Sequence, residues 1–221
     1  MVTYDRRGLS RSSSTGEPPD LGTHAEDASR VLSAVADGPA LVFGGSIGAA
    51  IALELTVRHP AQVRRAVIHE PPVSALLPDG PRVELVAAQL DVEPAHHHAG
   101  VPAAMARFAR LARIDAADRE PDAPLAPPGP DRLANLEFFL SHDAPAVRRY
   151  RPDEAALRAQ AARIVPAAGA TSTGPVPQCA HALARLLDTE VVTFPGGHNG
   201  FAFRPRAFAE RLREVLRPTG A

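Results

Sequence analysis

The chain has 221 residues, 45% of them apolar, and a formal net charge of −1. That composition suits one sizeable core with a small insertion, and it argues against a disordered chain or one drawn to nucleic acid or anionic membrane by overall charge. The one cysteine, Cys179, excludes an intramolecular disulfide.

The opening, MVTYDRRGLSRSSS, has no apolar stretch behind its charges, so it does not read as a secretory leader. No apolar run approaches membrane-spanning length, and the chain reads as a soluble, reduced, cytoplasmic protein. Residues 1–4 read as the end of a strand that runs into the turn Asp5-Arg6-Arg7-Gly8. Thr23 and Glu26 fit a capping box for a helix whose apolar stripe is Ala25, Ala28, Val31, Leu32 and Val35. Ala40 to Phe43 is a short apolar run of the kind found in buried parallel strands. A helix is predicted after Ser46, running to His59 and stopped by Pro60. Ala66-Val67-Ile68 reads as the next strand, ending at His69-Glu70-Pro71-Pro72. Alternating strands and helices predict an α/β fold with a mostly parallel sheet and helices on both faces.

From about residue 79 the texture becomes helical, with Pro-rich connections. Met105, Phe108 and Leu111 share one helical stripe, a second helix is predicted over 131–140, and a third from Pro152 with Asp153 and Glu154 in its first turn. The stretch EPDAPLAPPGP, residues 120–130, reads as loop. Strand and helix then alternate again: Ile164-Val165, a helix marked by Cys179, Leu183 and Leu186, Val191 to Phe194, and a last helix opened by Pro205. The domain reading is a core of residues 1–79 and 160–221 with a helical lid over 80–159.

Gly44-Gly45-Ser46-Ile47-Gly48 sits where a strand turns into a helix, the setting of a nucleophile elbow. A strained turn there lifts the serine hydroxyl above the sheet edge, and Gly44 and Gly48 let backbone pack closely. The N–H of Ile47, at the helix start, faces a developing oxyanion. His198 lies in a glycine-rich turn, FPGGHNGF, after the last strand, where a general base would follow its nucleophile in chain order. The bland readings are an inert serine and a surface histidine.

Four stretches in combination carry a resemblance: Val2–Gly8, the Gly44–Gly48 elbow, His69–Pro72 and Phe194–Phe201, joined by EFFLSHDAPAVRRYRPD in the insertion. The chain resembles an α/β-hydrolase over nearly its whole length. The resemblance implies a hydrolase of small esters, thioesters or lactones, with no metal or organic cofactor and a small-molecule substrate; net charge and hydropathy point to neither nucleic-acid nor membrane partners. It implies Ser46 as nucleophile, His198 as base and Ile47 in the oxyanion hole. Such proteins carry their acid in the loop after the strand that follows the lid; here that loop, residues 169–174, holds no carboxylate. Glu70 is the substitute candidate, with a structural anchor as its alternative role.

The same resemblance implies a hairpin, a third strand, a loop with a second oxyanion donor and a helix ahead of TYDRRG. This predicts an N-terminally truncated sheet, through a misassigned start or a true fragment, with its first strand displaced, or one closed by residues 1–8 beside Ala40–Phe43. Phe138, Phe139, Met105 and Phe108 are candidates to line an acyl pocket, with core packing as the alternative. His96-His97-His98 is weighed as a metal site and disfavoured, because consecutive helical residues point in different directions. Two other functions stay open: a degenerate, non-catalytic binding protein, and a cofactor-free oxygenase or haloperoxidase-like enzyme on the same fold.

Overall fold

A computed structural model describes residues 1–14, 16–123 and 129–217. Four strands, β1 (Ala40–Gly45), β2 (Val63–His69), β3 (Ile164–Gly169) and β4 (Val192–Phe194), form one sheet in sequential order with every pair parallel. Parallel neighbours need crossovers, and the helices supply them. Helix α1 (Leu21–Val35) precedes β1, and α2 (Ile47–Arg58) links β1 to β2. A long insertion links β2 to β3. It holds α3 (Asp79–Leu111), α4 (Arg132–Phe138), α5 (Ala144–Arg149) and α6 (Glu154–Ala159). Helix α7 (Pro175–Leu186) links β3 to β4, and α8 (Gly200–Phe203) and α9 (Pro205–Leu216) follow.

The alternation of strand side chains divides the core between two faces. Val63, Ala66, Ile68 and Ile164 pack against α1, α2, α6 and α7. Val67, Val165, Ala167 and Phe194 meet Phe208 and Val215 of α9 on the other. The expected parallel sheet with helices on both faces is what forms.

Local boundaries differ from the sequence reading in instructive ways. The N-cap of α1 is Asp20, whose Oδ1 accepts from Thr23 N–H at 2.7 Å, so the predicted Thr23 cap lies one turn inside the helix. Val35 is exposed, because the buried stripe runs through Leu21, His24, Ala25 and Ala28 instead. Helix α6 starts at Glu154 rather than Pro152, since the Asp153 carboxylate accepts from Ala156 N–H and fixes the cap there. The predicted loop over 120–130 falls partly on residues 124–128, which lie outside the described residues.

Residues 1–6 form no strand, contrary to the reading of residues 1–4 and of a pairing beside Ala40–Phe43. Alternating side chains make a strand only where a free edge accepts its backbone. Here the two arginines of the turn are drawn elsewhere. Arg7 makes a two-pronged bond to Asp27 of α1, at 2.8 and 2.7 Å, and Arg6 reaches Asp143 at 2.8 Å. Among the described residues β1 pairs only with β2, and Leu41 is exposed, so β1 is an edge strand.

Asp143 ties three parts of the molecule together. The π-helical turn Phe139–Asp143 between α4 and α5 carries its carboxylate, with no exposed surface, toward the core. One oxygen faces Arg6 and the other accepts from His24 Nε2 at 3.1 Å. Tyr150 adds a second tie, donating its hydroxyl to Glu54 of α2 at 2.7 Å. Removing one partner of a buried ionic cluster leaves the others uncompensated. Asp143→Ala is therefore expected to lower unfolding free energy by about 3 kcal/mol, read from urea titration; an unchanged midpoint would show that the cluster contributes nothing.

Candidate active site

Ser46 follows β1 and precedes α2 with φ 54° and ψ −122°, a left-handed conformation strained for a residue with a Cβ. The hydroxyl makes no capping bond to its own helix. The turn is held from outside, because Ser46 N–H donates to the carbonyl of His69, the last residue of β2, at 3.0 Å. A Cβ on Gly44 would lie 2.2 Å from the Gly48 carbonyl oxygen, so Gly44 has to be glycine. A Cβ on Gly48 would meet nothing within 4 Å, so only one of the two glycines singled out in the sequence is sterically required. Ile47 is the first residue of α2, and its N–H has no intrahelical partner.

Glu70 also has positive φ, at 49°, directly after β2. This kink turns its carboxylate sideways along the sheet edge. Glu70 N–H donates to Ala167 of β3, and Oε1 accepts from Gly169 N–H at 2.8 Å. Oε2 accepts from His198 Nδ1 at 2.7 Å. Both side chains are buried, Glu70 at 0% and His198 at 3% exposure. Burial works to raise the Glu70 pKa, but the hydrogen bond and charge of His198 outweigh it and hold the carboxyl below its ordinary value. An acceptor at Nδ1 fixes the tautomer with its proton there and leaves the Nε2 lone pair free to accept.

The turn carrying His198 docks because the loop after β3 makes room. A Cβ on Gly169 would fall 2.4 Å from the Gly196 carbonyl oxygen, and one on Gly200 would fall 2.2 Å from that of Pro195. Ala170 and Thr171 donate their N–H groups to Phe194 and Gly196. Gly169 thus has two duties, a bond to Glu70 and close approach to the histidine turn. The sequence reading passed over it, although a glycine ending a strand is the available signal.

Ser46, Ile47 and His198 line one cavity of about 40 Å³. Among the described residues no hydrogen bond joins Ser46 to His198; such contacts often tighten only when substrate binds. The rest of the lining is mostly apolar and comes from Val92, Phe108 and Leu111 of α3, Phe139, Val147 and Val176, with Gln89 at one side. Of the four aromatic and methionine candidates, Phe108 and Phe139 line this cavity. Phe138 and Met105 do not: Phe138 stacks on His142 and crowds Gly8, and Met105 packs into the apolar cluster of Val92, Val101, Ala104 and Leu140. Neighbours on a helix point in different directions, and here Phe139 faces the cavity while Phe138 does not. His198 also borders a polar cleft of about 210 Å³ with Arg113, Asp118, Thr171 and Asn199.

The remaining candidates have structural partners. His96 pairs with Glu137 at 2.9 Å, and among the described residues no three metal-ligating side chains come together. Asp5 anchors its own turn through Arg11 and Ser12. Burial pushes the Cys179 thiol up to about 12. No helix among the described residues is long and apolar enough to cross a membrane.

Comparison with known proteins agrees with this architecture. The family model of the alpha/beta hydrolase fold matches residues 1–100. The uncharacterized hydrolase YraK of Bacillus subtilis (strain 168) is 35% identical over 223 residues, spanning 98% of this chain and 78% of that protein. Among solved structures, Est816, described as an N-acyl homoserine lactone degrading enzyme, superimposes with TM-score 0.68 at 22% identity over 96% of this chain and 81% of its own. The esterase EaEST from Exiguobacterium antarcticum gives TM-score 0.67 at 17% identity, over 97% and 80%. At those identities the two structures speak for the fold alone.

His69, beside Glu70, is fully buried among Phe43, Phe194 and Phe208, with both ring nitrogens unpartnered. Burial lowers its pKa to about 4, with the Glu70 charge opposing and His198 assisting. An unfolded chain takes up this proton near pH 6.5 while the folded chain stays neutral, so stability falls as pH drops through that window. The expected loss is about 2 kcal/mol from pH 6.5 to 5. Urea titrations at pH 7.5 and 5 should show a shallower pH dependence in His69→Phe than in the parent; equal slopes would mean that His69 takes up its proton at the same pH folded and unfolded.

Proposed function

We propose a function from a plain premise: this chain belongs to the α/β-hydrolase fold family. It is a hydrolase of that fold, and the proposed reaction is acyl transfer to water from a small ester, thioester or lactone. The single observation that carries it is the buried Glu70–His198 pair, whose imidazole shares a cavity with a serine held at positive φ. The same fold carries a lactone-degrading enzyme in Est816 and an esterase in EaEST, so acyl hydrolysis is chemistry that this architecture accommodates.

In this reading Ser46 Oγ attacks the acyl carbon and its proton passes to His198 Nε2. Glu70, already accepting from Nδ1, stabilises the imidazolium and does not itself take the proton. The oxyanion receives the Ile47 N–H, assisted by the positive end of α2. His198 then protonates the leaving group, and a water takes its place to release the acid. The polar cleft that also borders His198 is the proposed route for that water. The helices of 80–159 serve as a lid that keeps the acyl side apolar. A cavity of about 40 Å³ holds roughly three water-sized groups, so short acyl chains are the expected substrates.

Hydrolysis of p-nitrophenyl acetate and butyrate tests the reading. Ser46→Ala is expected to fall to background and to lose labelling by a fluorophosphonate probe; parent-like turnover in Ser46→Ala would remove it as nucleophile. Glu70→Gln keeps the shape but not the anion, and a loss of about 10³–10⁴ in kcat is expected from comparable triads. Absence of both turnover and labelling in the folded parent would favour a non-catalytic binding protein.

A further inference from the structure

The cavity beside Ser46 has three lining residues with polar side chains, Ser46, His198 and Gln89. The chemistry above uses the first two. Gln89 is left over, on the first arm of α3, where nothing about the reaction at the serine explains it.

Its amide cannot swing freely. Nε2 donates to the carbonyl of Pro72 at 3.1 Å, on the segment that follows Glu70. A carbonyl accepts and never donates, so this bond fixes which end of the amide is nitrogen. Oε1 is left turned away from Pro72, buried and without a hydrogen-bond partner. A buried acceptor left unmet costs about 1–3 kcal/mol. Gln89 also borders a second pocket of about 10 Å³ with Glu93, His96 and Arg148, which has room for roughly one water.

We infer that Gln89 is a specificity determinant: its Oε1 accepts a hydrogen bond from a hydroxyl or amide N–H carried on the acyl group of the substrate. The inference rests on the serine-hydrolase reading and narrows its substrate class. The chemistry of the cavity sets the terms. The partner of Oε1 must be a donor. It must also be neutral, because the lining holds no carboxylate to offset an ammonium in an otherwise apolar space. The small volume keeps the donor within a few bonds of the reacting carbonyl. A plain alkyl acyl group fills the same space and leaves Oε1 unmet.

The break in α3 makes this arrangement possible. Gly100 has φ 74° and ψ −175°, which no helix interior adopts, and it divides the run into two arms. Gln89 and Val92 come from the first arm, Phe108 and Leu111 from the second, and both arms face the same cavity. The first arm thus contributes the polar contact and part of the apolar wall, and the second arm the rest of that wall.

Matched p-nitrophenyl esters test this: butyrate against 2- and 3-hydroxybutyrate, and pentanoate against N-acetylglycinate. The parent is expected to favour at least one donor-bearing ester by about three- to tenfold in kcat/KM after correction for intrinsic reactivity, the worth of one neutral hydrogen bond. Gln89→Met and Gln89→Leu are each expected to bring that ratio to about one. A residue that only anchors Pro72 would change the rates of both members of a pair together and leave the ratio in place. No preference in the parent, as when a water in the second pocket satisfies Oε1, or a preference that survives both variants, overturns the inference. Calorimetric binding of methyl butyrate and the methyl hydroxybutyrates to Ser46→Ala reads the same preference without turnover. Failure of hydrolysis alone therefore counts against Ser46, and equal binding counts against Gln89.

Discussion

The hydrogen bond between Glu70 and His198 is the contact on which the rest of the site depends. It brings together the end of β2 and a turn beyond β4, 128 residues apart in sequence. Two buried ionisable groups survive there only because each answers the other, and because Gly169 N–H occupies the second carboxylate oxygen. The sequential strand order makes the meeting possible. β3 lies between the two, and its last residue, Gly169, is bare enough for the histidine turn to cross it.

The strain in the site follows from the same geometry. Ser46 and Glu70 both adopt positive φ, each directly beyond the end of its strand, on neighbouring strands. A residue continuing its strand would point up or down from the sheet. The kinks instead turn both side chains across the sheet edge. Each is held by a backbone bond to the neighbouring strand, Ser46 to His69 and Glu70 to Ala167. The surrounding ladder therefore over-determines conformations that an isolated peptide would abandon.

The insertion is bound to this platform by polar ties as well as by apolar packing, such as Leu85 of α3 against Val176 and Cys179 of α7. Asp143 joins it to Arg6 and His24, Tyr150 to Glu54, Gln89 to Pro72, and Asp118 to Thr171 and Arg204. Apolar packing fills the spaces between, as where Val147 meets Ile51 and Val73. Directional bonds at separated points set the position of the helices over the cavity, which apolar contact alone would leave freer to slide.

Much of this was legible in the chain. Apolar runs bounded by Gly and Pro marked β1 to β4, the small residues around Ser46 marked the elbow, and the glycines around His198 marked its turn. These are local signals, set by backbone sterics and burial within a few residues. Glu70 was legible only as a candidate, because a carboxylate after a strand has no local feature that names its partner. The first residues were misread as a strand, since whether an extended segment joins a sheet depends on a neighbouring edge and not on its own pattern. Phe138 and Met105 were misassigned for a related reason: a helical stripe shows which residues share a face, but not what that face meets. Gln89 carried no signal at all. The sequence by itself determined the order of elements, the turn at Ser46 and the turn that carries His198, because those follow from short-range backbone constraints. Only the tertiary structure decided the partner of Glu70, the cavity wall and, among the described residues, the unpaired edge of β1, because each depends on which distant segments the fold brings into contact.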